Sequence, residues 1–118
     1  MENQIKKSLQ HIHQLLAQGQ FIEAMETYLH DEVELREGNS APKKGKQFNV
    51  DFENDFINNQ LKEFARYDVL DVAVSGNHSF YTAEMELVMK DGSTMLSEQA
   101  VANEWKDGKI YRERYYHA

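Results

Sequence analysis

Glu37, Glu98 and Glu113 each lie in a strand-like stretch where alternate residues are apolar or aromatic. A carboxylate on such a face loses hydration, which is costly unless it is paired or its pKa rises until it is neutral. A carboxyl group tuned in that way can serve as a general acid or base. Glu113 has Tyr111 and Tyr115 two residues away on either side, so side chains of period two place a phenol on its face. The alternative is a glutamate simply tied to that hydroxyl or solvated at an open rim, since structural networks perturb carboxylates as well. Glu37 shares parity with Val33 and Leu35 and is expected to point inward at the end of a short strand. Among the histidines, His11 and His13 are two apart and cannot share a helix face, so they are no metal pair. His13 flanks an apolar stripe and could reach a cavity, the alternative being a partly buried packing residue, the commoner fate of a lone helix histidine. No metal-ligand spacing occurs, and no cofactor is implied.

The elements that must hold these groups can be read from periodicity. Ile5, Leu9, Ile12 and Leu16 recur at helical spacing over residues 3–18, and Gly19 supplies a stop. A second helix is expected over 20–31, burying Phe21, Met25, Tyr28 and Leu29, followed by a strand over 33–37. A third begins after Gly45, with Phe48, Phe52 and Phe56 four apart as an aromatic ridge. Beyond residue 61 the period changes to alternation, giving strands at 63–75, 79–90, 93–106 and 109–117. Gly76-Asn77, Asp91-Gly92 and Asp107-Gly108 separate them, each suited to a two-residue hairpin turn. Helices first and a strand meander afterwards predict one α+β domain over 1–118, its three N-terminal helices packed on a curved, mainly antiparallel sheet.

Counting outward from two-residue turns predicts the cross-strand pairs. Ala102 should oppose Glu113, Ala100 should oppose Tyr115, and Glu98 should oppose His117. Met85 should oppose Glu98, and Tyr81 should oppose Ala102. One face then carries Tyr81, Met85, Ala100 and Ala102 around Glu98, Glu113 and Tyr115, with Trp105, Val101 and Ile110 on the other. The small alanines leave room where a solid core would place larger side chains. A pocket beside Glu113 is the expectation, with Tyr28, Phe52 and Phe56 facing it from the helices.

Composition narrows the partners. The net charge of −7 disfavours nucleic acid and anionic membranes. There is no cysteine, which removes disulfides, thiolate metal sites and a cysteine nucleophile. The N-terminal stretch lacks the apolar segment of a signal peptide, so a cytoplasmic protein is expected.

Several motifs together resemble the NTF2-like superfamily, in particular its SnoaL-like branch. They are Gln18-Gly19-Gln20-Phe21, Tyr28-Leu29-His30-Asp31-Glu32-Val33 and Pro42-Lys43-Lys44-Gly45. The strongest are Trp105-Lys106-Asp107-Gly108-Lys109-Ile110 and Arg112-Glu113-Arg114-Tyr115-Tyr116. The resemblance spans essentially the whole chain and implies a cone-shaped cavity between helices and sheet, commonly with homodimerisation through the sheet. Members of the family include polyketide cyclases, ketosteroid isomerases, epoxide hydrolases, dehydratases and proteins without catalytic activity. In the isomerases a carboxylate base follows the first strand, a place that Glu37 approximates. Their helix-1 tyrosine falls near Ile12, which speaks against ketosteroid isomerase activity itself. Two functions stay open on these residues. One is cofactor-free proton transfer of isomerase, cyclase or dehydratase type on a small, largely apolar, neutral ligand. Its catalytic groups would be Glu113, Tyr115 and Glu37, and the ligand would touch His13, Tyr28, Phe52, Phe56, Tyr81, Met85, Glu98, Ala100 and Ala102. The other is a non-catalytic module that binds a ligand or a protein partner.

Overall fold

The computed structural model describes residues 1–117. The elements run α1 (Glu2–Ala17), α2 (Phe21–Tyr28), β1 (Leu29–Glu37), β2 (Lys43–Lys44), α3 (Lys46–Asn59), β3 (Leu61–Ser75), β4 (His78–Met89), β5 (Thr94–Lys106) and β6 (Lys109–His117). Three helices and a six-stranded curved sheet make the expected α+β domain. The sheet order is β2-β1-β6-β5-β4-β3, and it is mixed because β1 runs parallel to β6. No helix is long and apolar enough to cross a membrane among the described residues.

Helix α1 buries Ile5, Leu9, Ile12 and Leu15 on one stripe, which fixes its face toward the sheet. Helix α2 is shorter than the periodicity predicts. Its chain turns extended at Leu29, whose buried side chain pairs with Ile110 of β6 and so begins β1 four residues early. Lys43 and Lys44 form a short antiparallel pair with Leu35 and Glu34.

The long strands differ from the counted register at three places that bear on the site. Around Asp91-Gly92 the hairpin has three loop residues. Met89 N–H bonds the Ser93 carbonyl, Gly92 N–H bonds the Met89 carbonyl, and Gly92 has φ +90°. This is a turn followed by a left-handed glycine, and the extra residue shifts β5 by one against β4. Because strand period is two, that slip inverts every β5 side chain. Val101, Asn103 and Trp105 are therefore buried, while Ala100, Ala102 and Glu98 face outward or to the rim.

At Asp107-Gly108 the expected two-residue turn forms, with φ of 55° and 75° at its centre. Lys106 then opposes Lys109 and Trp105 opposes Ile110, as counted. A bulge follows, so that Glu104 opposes Arg112 and Asn103 opposes Glu113. The second slip cancels the first. Glu113 and Tyr115 return to the face of Tyr81 and Ala83, but their cross-strand neighbours are Asn103 and Val101 rather than Ala102 and Ala100. In β3 a bulge between Val69 and Asp71 expels Leu70 to solvent and turns Tyr67 inward opposite Met85.

Candidate active site

Strand β6 lies between β1 and β5, which sets Glu113 beside Leu35 on one side and Asn103 on the other. Its surroundings leave it 7% exposed. The Asn103 Nδ2 donates to Glu113 Oε2 at 2.5 Å, and the Tyr115 hydroxyl donates to Oε1. Behind Asn103 the chain of hydrogen bonds continues through wholly buried groups. The Ser79 hydroxyl donates to Asn103 Oδ1 at 2.8 Å. The Trp105 indole N–H donates to Ser79 Oγ at 2.8 Å.

Burial pushes the Glu113 carboxyl from 4.5 up to about 7, and the Glu37 charge adds to that rise. The bonds from Tyr115 and Asn103 oppose it by favouring the carboxylate, yet desolvation outweighs both. Near neutral pH the group is therefore shared between acid and base forms, the condition under which proton transfer in both directions is efficient.

Glu113 faces a cavity of about 530 Å³ bounded by α1, α2, α3 and the concave sheet. Its wall is mainly Leu16, Met25, Leu35, Phe56, Met85 and Leu87, with tyrosines 28, 67, 81 and 115 among them. Burial raises the phenols of Tyr67, Tyr81 and Tyr115, so all three are neutral donors at physiological pH. The Tyr81 hydroxyl lies close enough to Tyr67 to bias its proton, but the two fall short of hydrogen-bond geometry. Among the described residues the buried Tyr67 hydroxyl has no hydrogen-bond partner. Leaving a buried hydroxyl unpaired costs about 1–3 kcal/mol, so an acceptor on a bound ligand would relieve it.

A second carboxyl, Glu53 of α3, also lines the cavity. Burial raises its pKa, Lys43 opposes the rise and Glu37 reinforces it. Glu37 itself sits at the mouth, where its Oε2 is 2.7 Å from His117 Nε2. The other His117 nitrogen is 3.4 Å from Ser97 Oγ. Phe52 stacks on Phe48 at 6.4 Å between centroids, with the Lys43 ammonium 4.5 Å above its ring.

The structure brings most of the anticipated residues to one place. Glu113, Tyr115, Glu37, Tyr28, Phe52, Phe56, Tyr81 and Met85 all border the cavity, and Glu98 reaches its outer rim. Ala100 and Ala102 do not, because the three-residue hairpin turns them to the outer face, where they floor a shallow groove beside Phe80 and Tyr116. For the same reason Glu98 is exposed and opposes Glu84, while the bulge in β6 makes Gln99 the residue that pairs with His117. His13 packs edge-on against Tyr81 at 4.5 Å and near Tyr67 at 6.4 Å instead of lining the cavity. Burial lowers its pKa from 6.5 to about 4. Its Nε2 has no partner among the described residues.

Sequence reasoning missed Asn103, Tyr67 and Glu53. A signal for the first was available: Val101, Trp105 and Ile110 are larger and more apolar than the alanines between them, and a core takes the larger set. Tyr67 depends on the bulge at Leu70, and nothing in the local pattern announces that bulge.

No protein-family model and no curated protein matches the chain by sequence. Solved structures do match in fold. A Mesorhizobium loti protein described as a SnoaL-like polyketide cyclase superposes with a TM-score of 0.81 at 22% identity, covering 95% of this chain and 97% of that one. An epoxide hydrolase of LEH-like type from M. tuberculosis gives 0.81 at 11% identity, covering 99% and 84%. A de novo designed protein with a curved β-sheet gives 0.74 at 25% identity, covering 100% and 88%. One architecture thus serves two named activities and a design, so the fold leaves the reaction to the residues in the cavity. Order of elements, sheet curvature and these superpositions agree that the chain has the NTF2-like cone fold on which SnoaL-like proteins are built.

Proposed function

We propose that this chain is a SnoaL-like protein that binds a small, largely apolar, neutral ligand in the cavity and transfers a proton on it through Glu113. The observation that carries this reading is a nearly fully buried carboxyl group, poised at about 7, aimed into an apolar cavity. In the carboxylate form Glu113 would remove a proton from a carbon next to a carbonyl. The proton passes to the carboxylate and the C–H electron pair enters the enolate. Reprotonation at another atom completes an isomerisation, whereas in a cyclisation the enolate carbon bonds to a second carbonyl carbon of the ligand and the alkoxide so formed takes the proton back from Glu113. Tyr115 already donates to Glu113, and Tyr28 lies 2.5 Å from His11 Nδ1. Tyr67 is therefore the better placed donor for the developing oxyanion, since its hydroxyl is uncommitted. Glu37, Glu53, Glu98 and Glu113 outnumber Arg36 and Lys43 along the cavity wall, an acidic balance that disfavours an anionic ligand.

The test is to identify the compound retained through purification by native mass spectrometry and to measure its affinity for Tyr67→Phe. A neutral compound bearing a carbonyl or similar acceptor, held about tenfold more weakly by the variant, is the expected result. A carboxylate or phosphate in the cavity overturns the reading. The alternative is a non-catalytic binding module, which would retain ligand without exchanging any of its carbon-bound protons.

Homodimerisation through the outer face of the sheet belongs to the same proposal. Phe80, Leu96 and Tyr116 are 45%, 55% and 46% exposed there, a density of apolar surface that favours cover by a partner. Ala100 and Ala102 between them leave room for the rings of a second copy. Sedimentation equilibrium should give twice the 13.8 kDa chain mass, and Ala102→Arg should shift the protein to monomer. A wild-type monomer at micromolar concentration rejects the dimer.

A further inference from the structure

The buried chain behind Glu113 has a direction set at its far end. An indole N–H can only donate, so Ser79 Oγ must accept from Trp105 and turn its own proton toward Asn103. Asn103 then presents Oδ1 to Ser79, and its amide N–H₂ is obliged to face Glu113 Oε2. An N–H₂ group cannot accept, so a proton on Glu113 cannot be placed along that bond. Oε1 is different. Its partner is the Tyr115 hydroxyl, which can rotate from donating to a carboxylate to accepting from a carboxylic acid.

We propose that Trp105, Ser79 and Asn103 act as positioning residues that hold Glu113 Oε2 as a permanent acceptor and confine proton uptake to Oε1, with Tyr115 as the group that reverses its hydrogen bond. The inference deepens the reading of Glu113 as the proton-transferring group and rests on it for its functional meaning. It places the exchangeable proton on one oxygen, which gives the reaction a defined direction of approach. None of the three residues needs to touch the ligand, and none lines the cavity.

The groups facing Glu113 are few. They are Glu37 of β1, Tyr67 of β3, Tyr81 of β4 and Tyr115 of β6, with Glu53 of α3 beyond Tyr115 and His117 tied to Glu37. All of them are left in place by the variants below.

The experiment follows the Glu113 carboxyl carbon by NMR in the full chain labelled at glutamate, across pH and without substrate. Asn103→Leu removes the donor to Oε2 and should raise the midpoint by about one pH unit. Ser79→Ala frees the Asn103 amide to turn and should raise it by roughly half as much, while Ser79→Thr, which keeps the hydroxyl, should return it to the wild-type value. Because Ser79 acts only through Asn103, Ser79→Ala should add nothing in the Asn103→Leu background. An unmoved midpoint in a folded Ser79→Ala protein overturns the proposal, as does full additivity in the double variant. Should the Asn103→Leu background fail to fold, the comparison of Ser79→Ala with Ser79→Thr decides alone. The titration needs no ligand, so an absence of proton exchange on any carbon acid would reject the catalytic reading and leave this result standing.

Discussion

Replacing Glu113 with glutamine is expected to reduce proton transfer by roughly 10²–10⁴-fold, the usual contribution of a positioned acid or base. The substitution keeps the volume of the side chain and preserves an acceptor for the Asn103 amide, so ligand affinity should change little. The loss should therefore appear in kcat and not in KM. Exchange of deuterium at the carbon next to the carbonyl of apolar ketones, followed by proton NMR, supplies the assay. In the wild type the exchange rate should rise with pH and level off above about 7, as the carboxylate form fills. A variant that exchanges at the wild-type rate would remove Glu113 from the chemistry and return the base to Glu37 or Glu53.

The same substitution should stabilise the protein at alkaline pH. Glu113 has a folded pKa near 7 against 4.5 for a free carboxyl, so the folded chain holds its proton longer than the unfolded chain. Stability from this group is complete below about 4.5 and is lost as pH rises to about 7, a deficit on the order of 3 kcal/mol. His13 works in the other direction. Its pKa is depressed to about 4, so its contribution is complete above 6.5 and is lost as pH falls through 4. Between about 4.5 and 6.5 the two slopes oppose each other. Glu113→Gln should match the wild type near pH 4, then gain on it with rising pH to exceed it at pH 8 by up to about 3 kcal/mol. Urea unfolding at both values measures the difference, and a less stable variant at pH 8 contradicts the assigned burial.

How far the sequence reaches is seen at particular residues. The helical stripes at Ile5, Leu9 and Ile12 and the hairpin at Asp107-Gly108 follow from periodicity and turn chemistry, whereas Glu113 keeps the counted face only because the slips at Gly92 and in β6 cancel. Most of the cavity wall follows as well, because the aromatic residues of α2 and α3 have one apolar side to lie against. What did not follow is governed by single added residues. Asp91-Gly92 is compatible with a two-residue and a three-residue hairpin alike, and only the hydrogen bond from Met89 to Ser93 separates them. Alternation is blind to a bulge, so Leu70 and Tyr111 could not be singled out by pattern. The price of each is a whole strand face read in reverse, as with Ala100 and Ala102. Size was the better guide in β5, where Val101 and Trp105 outweigh their neighbours.

The paired slips at Gly92 and beside Tyr111 also bear on descent. Each alone would turn a wall of the cavity inside out; together they restore it. A lineage that shortened the 90–92 loop by one residue would send Asn103 outward and leave Glu113 without its amide. It could regain an indoor carboxylate only by losing the irregularity in β6 and recruiting new neighbours at 100 and 102. Chain length in one loop is thus inherited together with strand regularity some twenty residues later, and the two should change in the same step or not at all.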